Sequence, residues 1–320
     1  KEKKISKFLL QHYNIQAKTI ECLKDQDTLV FKVTDVLEYS CIIKLYKKNK
    51  KNLVDKLHEI TLFLEYIQIQ NFKPETPNPK LQTRNPKPET PNFKLQTTNS
   101  KLQTYYIIIS KWIEGNVLNV ITTPIGRKMG ETLAILHNGA AGFEPILSLQ
   151  HINSALIAQI ETLILQSSLS ISLEKNEKEC LKHRLFQVQQ KLNEIGYTKE
   201  HYGLIHSDLH FGNWLQQGDR LIPIDFDEMA YGHYLTDIAV VFAEIDHFSS
   251  KRAAILKKAL LRGYEAHRAL PTTFLDDFLY FEYVAAALYL NWACHPNHST
   301  ILEQPPKRHF AEIALKKLIR

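Results

Sequence analysis

From Asn71 to Tyr105 the chain can be written as five consecutive heptads, NFKPETP, NPKLQTR, NPKPETP, NFKLQTT and NSKLQTY, each opening on Asn with Lys third. A period of seven suggests a coiled coil, but six prolines and the lack of a two-position apolar seam forbid that helix. The run reads as a polar, Pro-rich loop or linker, extended or disordered. A tandem duplication in a surface loop is well tolerated, since each doubling of loop length costs only about 0.6 kcal/mol of closure entropy; docking of a peptide is the alternative role. Setting aside these 35 residues of 320 leaves 285, a size that fits one two-lobed unit rather than two independent domains.

With 44% hydrophobic side chains the remainder can bury a real core. The net charge of +6 is only mildly basic, and it divides: residues 1–105 carry nineteen bases against eleven acids, whereas residues 201–300 carry seven bases against twelve acids. The basic half suits a polyphosphate and the repeat, so no nucleic-acid partner is expected. No apolar stretch approaches the ~18 residues of a membrane span, and Lys1 to Lys7 does not lead into a signal-peptide core. Cys22, Cys41, Cys180 and Cys294 have neither CxxC nor Cys/His spacing, so neither a disulfide framework nor a structural zinc site is suggested. A cytoplasmic protein without membrane attachment is the expectation.

Hydrophobic spacing predicts a helix over Ile5 to Tyr13, a strand pair at Thr28 to Thr34 and Tyr39 to Leu45, and a helix over Asn52 to Ile69. After the repeat comes a strand from Tyr105 to Ile109. The chain then turns helical: Ile125 to His137 stopping at Asn138-Gly139, Ile152 to Leu165, Glu177 to Ile195, and a C-terminal series from Lys251 to Leu318. The exception is Gly203 to Phe226, where two apolar runs flank Gln217-Gly218-Asp219 as a hairpin. The fold class is α+β, with a small sheet-bearing lobe (residues 1–114, carrying the insertion) before a larger helical one (residues 115–320).

Within that hairpin region lies Ile205-His206-Ser207-Asp208-Leu209-His210-Phe211-Gly212-Asn213, followed by Ile224-Asp225-Phe226-Asp227. The reading puts three carbonyl-bearing side chains at the ends of two strands joined by a tight turn. Asp208 can meet a substrate hydroxyl, while Asn213 and Asp225 converge as hard oxygen ligands of the kind Mg2+ prefers. Phosphoryl transfer asks a protein mainly for metal charge and an aligned acceptor. A rival reading takes His206, Asp208 and His210 as metallohydrolase ligands sharing one face of a strand; it leaves Asn213 and Asp225 unexplained.

His206-x-Asp208-x4-Asn213 with Asp225-Phe226-Asp227 resembles the catalytic and metal-binding motifs of the aminoglycoside phosphotransferase and choline kinase group within the protein-kinase-like fold. The resemblance extends to Gly232-His233-Tyr234-x-x-Asp237-Ile238-Ala239, Leu136-His137 and Gly263-Tyr264, covering about Thr28 to Trp292. It implies a bilobal kinase-like fold, ATP or GTP as donor, Mg2+ as cofactor and a small-molecule hydroxyl as acceptor. Asp208 would be the catalytic base, and Asn213 and Asp225 the metal ligands. Lys44 would bind the donor's α and β phosphates and Glu59 would orient it, with Lys32 and Glu65 as competitors for those roles. The main chain at Lys111, Trp112 and Ile113 resembles the hinge that pairs with the base, and His206 and Asp237 resemble residues that support the catalytic loop. His210 and Asp227 are candidates for contact with the acceptor or a second metal ion, against a loop-stabilising role; His137 is read as a core histidine.

All eleven glycines lie at or after Gly115, so the first lobe has no GxGxxG and no Walker sequence. Asp25 to Thr28 is the expected turn over the phosphates. Ser207 stands where Gly or Arg is common, and without that arginine an activation-loop phosphate has no receiver. The acidity of residues 201–300 favours cationic acceptors such as amino alcohols, amino sugars or aminoglycosides. Asp276, Asp277 and Glu282 are candidate acceptor contacts there, against a solvated helix face. The alternatives within this fold are a kinase of proteins or protein-bound sugars and a nucleotide-binding pseudokinase.

Overall fold

A computed structural model of the chain describes residues 2–25, 28–47, 53–69, 94–96, 105–143, 149–296 and 301–320. The chain forms two units that divide between Glu114 and Gly115. In the first, Ile5, Phe8 and Leu9 recur at helical spacing on α1 (Glu2–Tyr13) and lie buried. They pack on Leu29, Phe31 and Val33 of β2 (Thr28–Asp35) and Ile43 and Leu45 of β3 (Ser40–Lys47), the alternate residues of one sheet face. The sheet is completed by β1 (Ala17–Asp25), β4 (Lys94–Gln96) and β5 (Tyr105–Lys111) in the order β1-β2-β3-β5-β4, every pair antiparallel. Between β3 and β4 runs α2 (Leu53–Ile69), which buries Leu57, Glu59, Ile60 and Phe63.

Two elements of this unit depart from expectation. β1 has no sequence signal because it is an edge strand whose side chains are mostly exposed. β4 comes from the fourth heptad, where Lys94, Leu95 and Gln96 pair with Ile109, Ile108 and Ile107. The loop reading of the heptads is corrected there: a proline-free KLQ triplet can donate to a sheet edge where its Pro-containing neighbours cannot. The remaining heptad residues before Tyr105, and Gln26 and Asp27 of the turn expected over the phosphates, lie outside the described residues.

The second unit opens with β6 (Asn116–Val117) and α3 (Thr123–Ala141). Thr122 caps α3 by accepting from the Ile125 amide at 3.4 Å, with Pro124 in the first turn. The helix runs past the expected stop at Asn138-Gly139 to a cap at Gly142. Buried Ala140 extends its packed face, which outweighs the local cost of Asn and Gly. Then come α4 (Ser154–Gln166) and α5 (Lys175–Ile195), β7 (Tyr202–Ile205), β8 (Trp214–Gln217), β9 (Arg220–Pro223) and β10 (Ala230–His233). Four helices follow: α6 (Tyr234–Ile245), α7 (Ser250–Glu265), α8 (Phe274–Cys294) and α9 (Pro305–Ile319). α3 and α7 approach backbone to backbone through two glycines: a Cβ on Gly130 would fall 1.9 Å from the Leu260 carbonyl oxygen, and one on Gly263 would fall 1.9 Å from that of Arg127. Among the described residues no helix is long and apolar enough to cross a membrane.

The hairpin reading is refined by the sheet pairing. β8 and β9 form the hairpin, with Trp214 opposite Pro223, whereas β7 pairs with β10 in a separate two-stranded sheet. Asp208 therefore follows a strand outside the hairpin, while Asn213 and Asp225 flank its open end. The sequence contains both apolar runs but carries no mark of which strand each one pairs with.

Candidate active site

Asp208 sits on the loop that leaves β7, and the loop is held from below by Asp237 on α6. Asp237 is wholly buried; its Oδ2 accepts from the His206 amide at 2.9 Å and its Oδ1 from the Ser207 amide at 2.7 Å. Ser207 adopts φ +63, a left-handed conformation that costs a non-glycine residue about 1–2 kcal/mol. The two amide bonds and a bond from Ser207 Oγ to the Glu228 carbonyl hold it there. His206 is wholly buried; its Nε2 donates to the Ile224 carbonyl at 2.9 Å, and its Nδ1 faces the Asp208 amide at 3.4 Å. Its ring lies against Phe226, centroids 4.4 Å apart. Both ring nitrogens of His206 are thus used inside the protein, which removes it from a His206/Asp208/His210 metal set.

Asn213 closes the loop from the other side. Its Nδ2 donates to the Asp208 carbonyl at 2.7 Å and to Asp208 Oδ2 at 3.1 Å, leaving the amide oxygen as the hard donor. Leu209 is buried beneath, and its carbonyl receives the indole N–H of buried Trp214 at 3.4 Å. The Ile224 amide donates to the Asn213 carbonyl at 2.9 Å, so the residue before Asp225 is tied across the hairpin to Asn213. Asp225 itself has φ +63, a second non-glycine residue in the left-handed region. Strain at two such positions is tolerated where surrounding contacts over-determine it, as they commonly do at functional sites.

The Asp208 carboxyl is pushed up to about 6, first by burial and then by the charges of Glu228 and Asp225, against the opposing pull of His210 and Asn213. A carboxyl in that range can hold or release a proton near neutral pH. His210 Nε2 lies 3.8 Å from Asp208 Oδ2. The donor set around Asp208 fits Mg2+: one amide oxygen and one carboxylate offer hard ligands and leave room for waters and phosphate oxygens. Among the described residues no three His, Cys, Asp or Glu side chains form a self-contained metal cage.

Beneath the loop, His137 and Tyr264 complete the support, and neither role is visible from spacing. His137, wholly buried, bonds Asp237 Oδ2 through Nε2 at 3.0 Å and Tyr264 Oη through Nδ1 at 2.9 Å. The core reading of His137 therefore holds in a stricter form, with both nitrogens spent. Glu244 on α6 was also missed; its Oε2 accepts from the Phe211 amide at 3.3 Å.

The acidic residues of α8 are engaged elsewhere. Asp277 is buried and pairs with Lys191 at 3.3 Å, and Glu282 pairs with Lys257 at 3.6 Å and Lys317 at 3.4 Å. These two are packed ion pairs, not a solvated face; Asp276 is exposed.

In the first unit Lys44 sits half-buried on β3 opposite Val30, on the sheet face turned away from α1. Glu59 is wholly buried on α2. The competitor Lys32 lies over the Trp112 ring at 4.0 Å, a cation–π contact; the side chain of Glu65 lies outside the described residues. The Trp112 amide donates to the Ser40 carbonyl at 3.2 Å, so alternation turns the amide of Lys111, the last residue of β5, to the opposite edge of the strand.

Comparison with known proteins bears on the fold and the family. A curated relative, the amicoumacin kinase of Bacillus subtilis (strain 168), is 28% identical over 58 residues, a match that spans 18% of this chain and 17% of that kinase. Among solved structures, an amicoumacin kinase in complex with AMP-PNP and Ca2+ superposes with a TM-score of 0.73 at 14% identity, covering 99% of this chain and 93% of the other. A microcompartment-associated aminopropanol kinase superposes with a TM-score of 0.71 at 18% identity, over 98% and 94% of the two chains. These likenesses establish a protein-kinase-like fold, with an antiparallel sheet in the first unit and a mostly helical second unit. The profile of the phosphotransferase enzyme family matches residues 26–272, from just before β2 through the loop of Asp208 to just before α8, and the chain belongs to that family.

Proposed function

We propose that this chain is a kinase that moves the γ-phosphoryl group of ATP or GTP, with Mg2+, to a hydroxyl of a small molecule. The observation that carries the reading is the Asp208–Asn213 pair: the amide that would face a metal through its oxygen also fixes the carboxylate through its nitrogen, at 3.1 Å. Asp208 accepts the acceptor's proton as its oxygen attacks phosphorus, and its raised affinity for a proton makes it a competent base near neutral pH. Asn213 and Asp225 would hold Mg2+, which when bound neutralises charge on the transferring phosphoryl group. We assign Lys44, oriented by Glu59, to the donor's α and β phosphates, and the main chain of Lys111 and Ile113 to its base.

A cationic acceptor, an amino alcohol, amino sugar or aminoglycoside, is the favoured class. Asp277 and Glu282 are paired with lysines, so that preference rests on the net acidity of residues 201–300 as a whole rather than on α8. The test is a phosphorylation assay with Mg·ATP and Mg·GTP over amino alcohols, sugars, aminoglycosides and protein substrates. Transfer to a small hydroxyl compound, lost in Asp208→Asn, is expected. Nucleotide binding without any turnover would replace the reading with a pseudokinase, and transfer confined to proteins would make it a protein kinase.

A further inference from the structure

We propose that His210 is a catalytic residue of this transfer: its Nε2–H donates to the acceptor's hydroxyl oxygen while Asp208 Oδ2 takes that hydroxyl's proton. The inference rests on the phosphotransferase reading and adds to it a second group on the nucleophile. Its starting point is the tautomer. The Gly212 amide donates to His210 Nδ1 at 3.0 Å, so Nδ1 is the acceptor nitrogen and the neutral ring carries its proton on Nε2.

That N–H is aimed across a gap. Nε2 and Asp208 Oδ2 are 3.8 Å apart, too far for a hydrogen bond, yet one oxygen atom can sit about 2.8 Å from both. Asp208 Oδ2 is held on its other side by Asn213 Nδ2 at 3.1 Å, so the carboxylate cannot swing freely to close the gap. The side chains of His210 and Asp208 are 46% and 43% exposed, which leaves the gap open to a substrate. A side chain on residue 212 would crowd the ring in this place: a Cβ there would fall 2.8 Å from His210 Cε1 and 3.0 Å from Nδ1.

An oxygen in that gap has each of its directions assigned. Its proton points to Asp208 Oδ2 and one lone pair accepts from His210. The second lone pair forms the new bond to the γ-phosphorus. The bond from that phosphorus to the β,γ-bridging oxygen breaks, and its electron pair leaves with the nucleoside diphosphate. His210 keeps its proton throughout, so its contribution is direction and not proton transfer.

The experiment compares wild type with His210→Ala, His210→Gln and Gly212→Ala, using the acceptor identified in the panel assay. His210→Ala is expected to lower kcat about 100- to 1000-fold, the scale seen when one preorganised donor is removed, with KM for Mg·ATP within about twofold. His210→Gln, which can present an amide N–H, should recover at least half of that loss on a logarithmic scale. Gly212→Ala keeps every functional group and should lower kcat by displacing the ring; in the double variant with His210→Ala it should add nothing. A kcat for His210→Ala within twofold of wild type overturns the proposal, and so does full additivity of the two changes. Should His210→Ala fail to fold, Gly212→Ala and His210→Gln decide, and wild-type kcat in Gly212→Ala overturns it. A wild-type protein that transfers to no hydroxyl at all defeats the phosphotransferase reading itself, a result distinct from transfer that ignores His210.

Discussion

His137 Nε2 stands 3.0 Å from Asp237 Oδ2, and both side chains are wholly buried. The same carboxylate takes the amides of His206 and Ser207, so one buried charge fixes both the loop ahead of Asp208 and the helix α3 that carries His137. Changing Asp237 to Asn replaces one acceptor oxygen with a donor that faces another donor. We expect a loss of about 3–5 kcal/mol in denaturant unfolding, the range for breaking a buried charged network. Loss below 1 kcal/mol would show that the network relaxes around the amide.

Asp208→Asn should separate activity from stability. Its folded-state carboxyl lies near 6, above the unfolded value of about 3.9, so its contribution to stability is present at low pH and is lost as pH rises through 6. At pH 7 the ionised group is a net liability that a neutral amide removes. With the side chain 43% exposed, solvent screening limits the gain to about 1 kcal/mol or less. Transfer should vanish while Tm at pH 7 stays level or rises; a clear fall in Tm contradicts the sign.

Stability should drop on mild acidification. Burial holds His137, His206 and His233 below the ordinary histidine value in the folded state. Stability from such groups is complete above the unfolded value of about 6.5 and is lost as pH falls below it. Three of them titrating together set a slope of up to about 4 kcal/mol per pH unit, opposed in part by Asp208. Urea unfolding at pH 7 and pH 5 measures it, and equal midpoints would mean these rings can charge without opening the core.

Two excisions distinguish the heptads from the strand that one of them supplies. Removing residues 71–91 takes the first three heptads and keeps β4; transfer should persist and Tm should move by about 1 °C at most. Removing residues 71–104 also takes β4, leaving Ile107 to Ile109 of β5 without that strand partner. The second variant should unfold several degrees lower and aggregate more readily, as exposed strand edges do. Identical melting and solubility of the two variants would show that β4 adds nothing.

Local chemistry made much of the candidate site legible. Asp208, Asn213 and Asp225 stand out because a loop needs no partner to announce itself: polar side chains between apolar runs have few other uses. The surroundings of Lys32 and Lys44 were beyond such reasoning, since both lie on strands of the right pattern; in the fold Lys32 lies over the Trp112 ring. Asp277 and Glu282 looked like an exposed acidic face for the same reason, because their lysine partners come from α5, α7 and α9, far away along the chain.

What could be read without coordinates is whatever acts over a few residues: the proline-barred heptads, the periodicity of α1 and α2, and the spacing of the phosphotransferase motifs. What needed the folded chain is whatever joins distant segments. The pairing of β7 with β10, the triad of His137, Asp237 and Tyr264, and the glycine contact of α3 with α7 each join residues 25 or more positions apart. Hydrogen bonds and close packing depend on distance in space. A sequence states which groups can bond, and the energetics of assembling all the segments at once select which of them do.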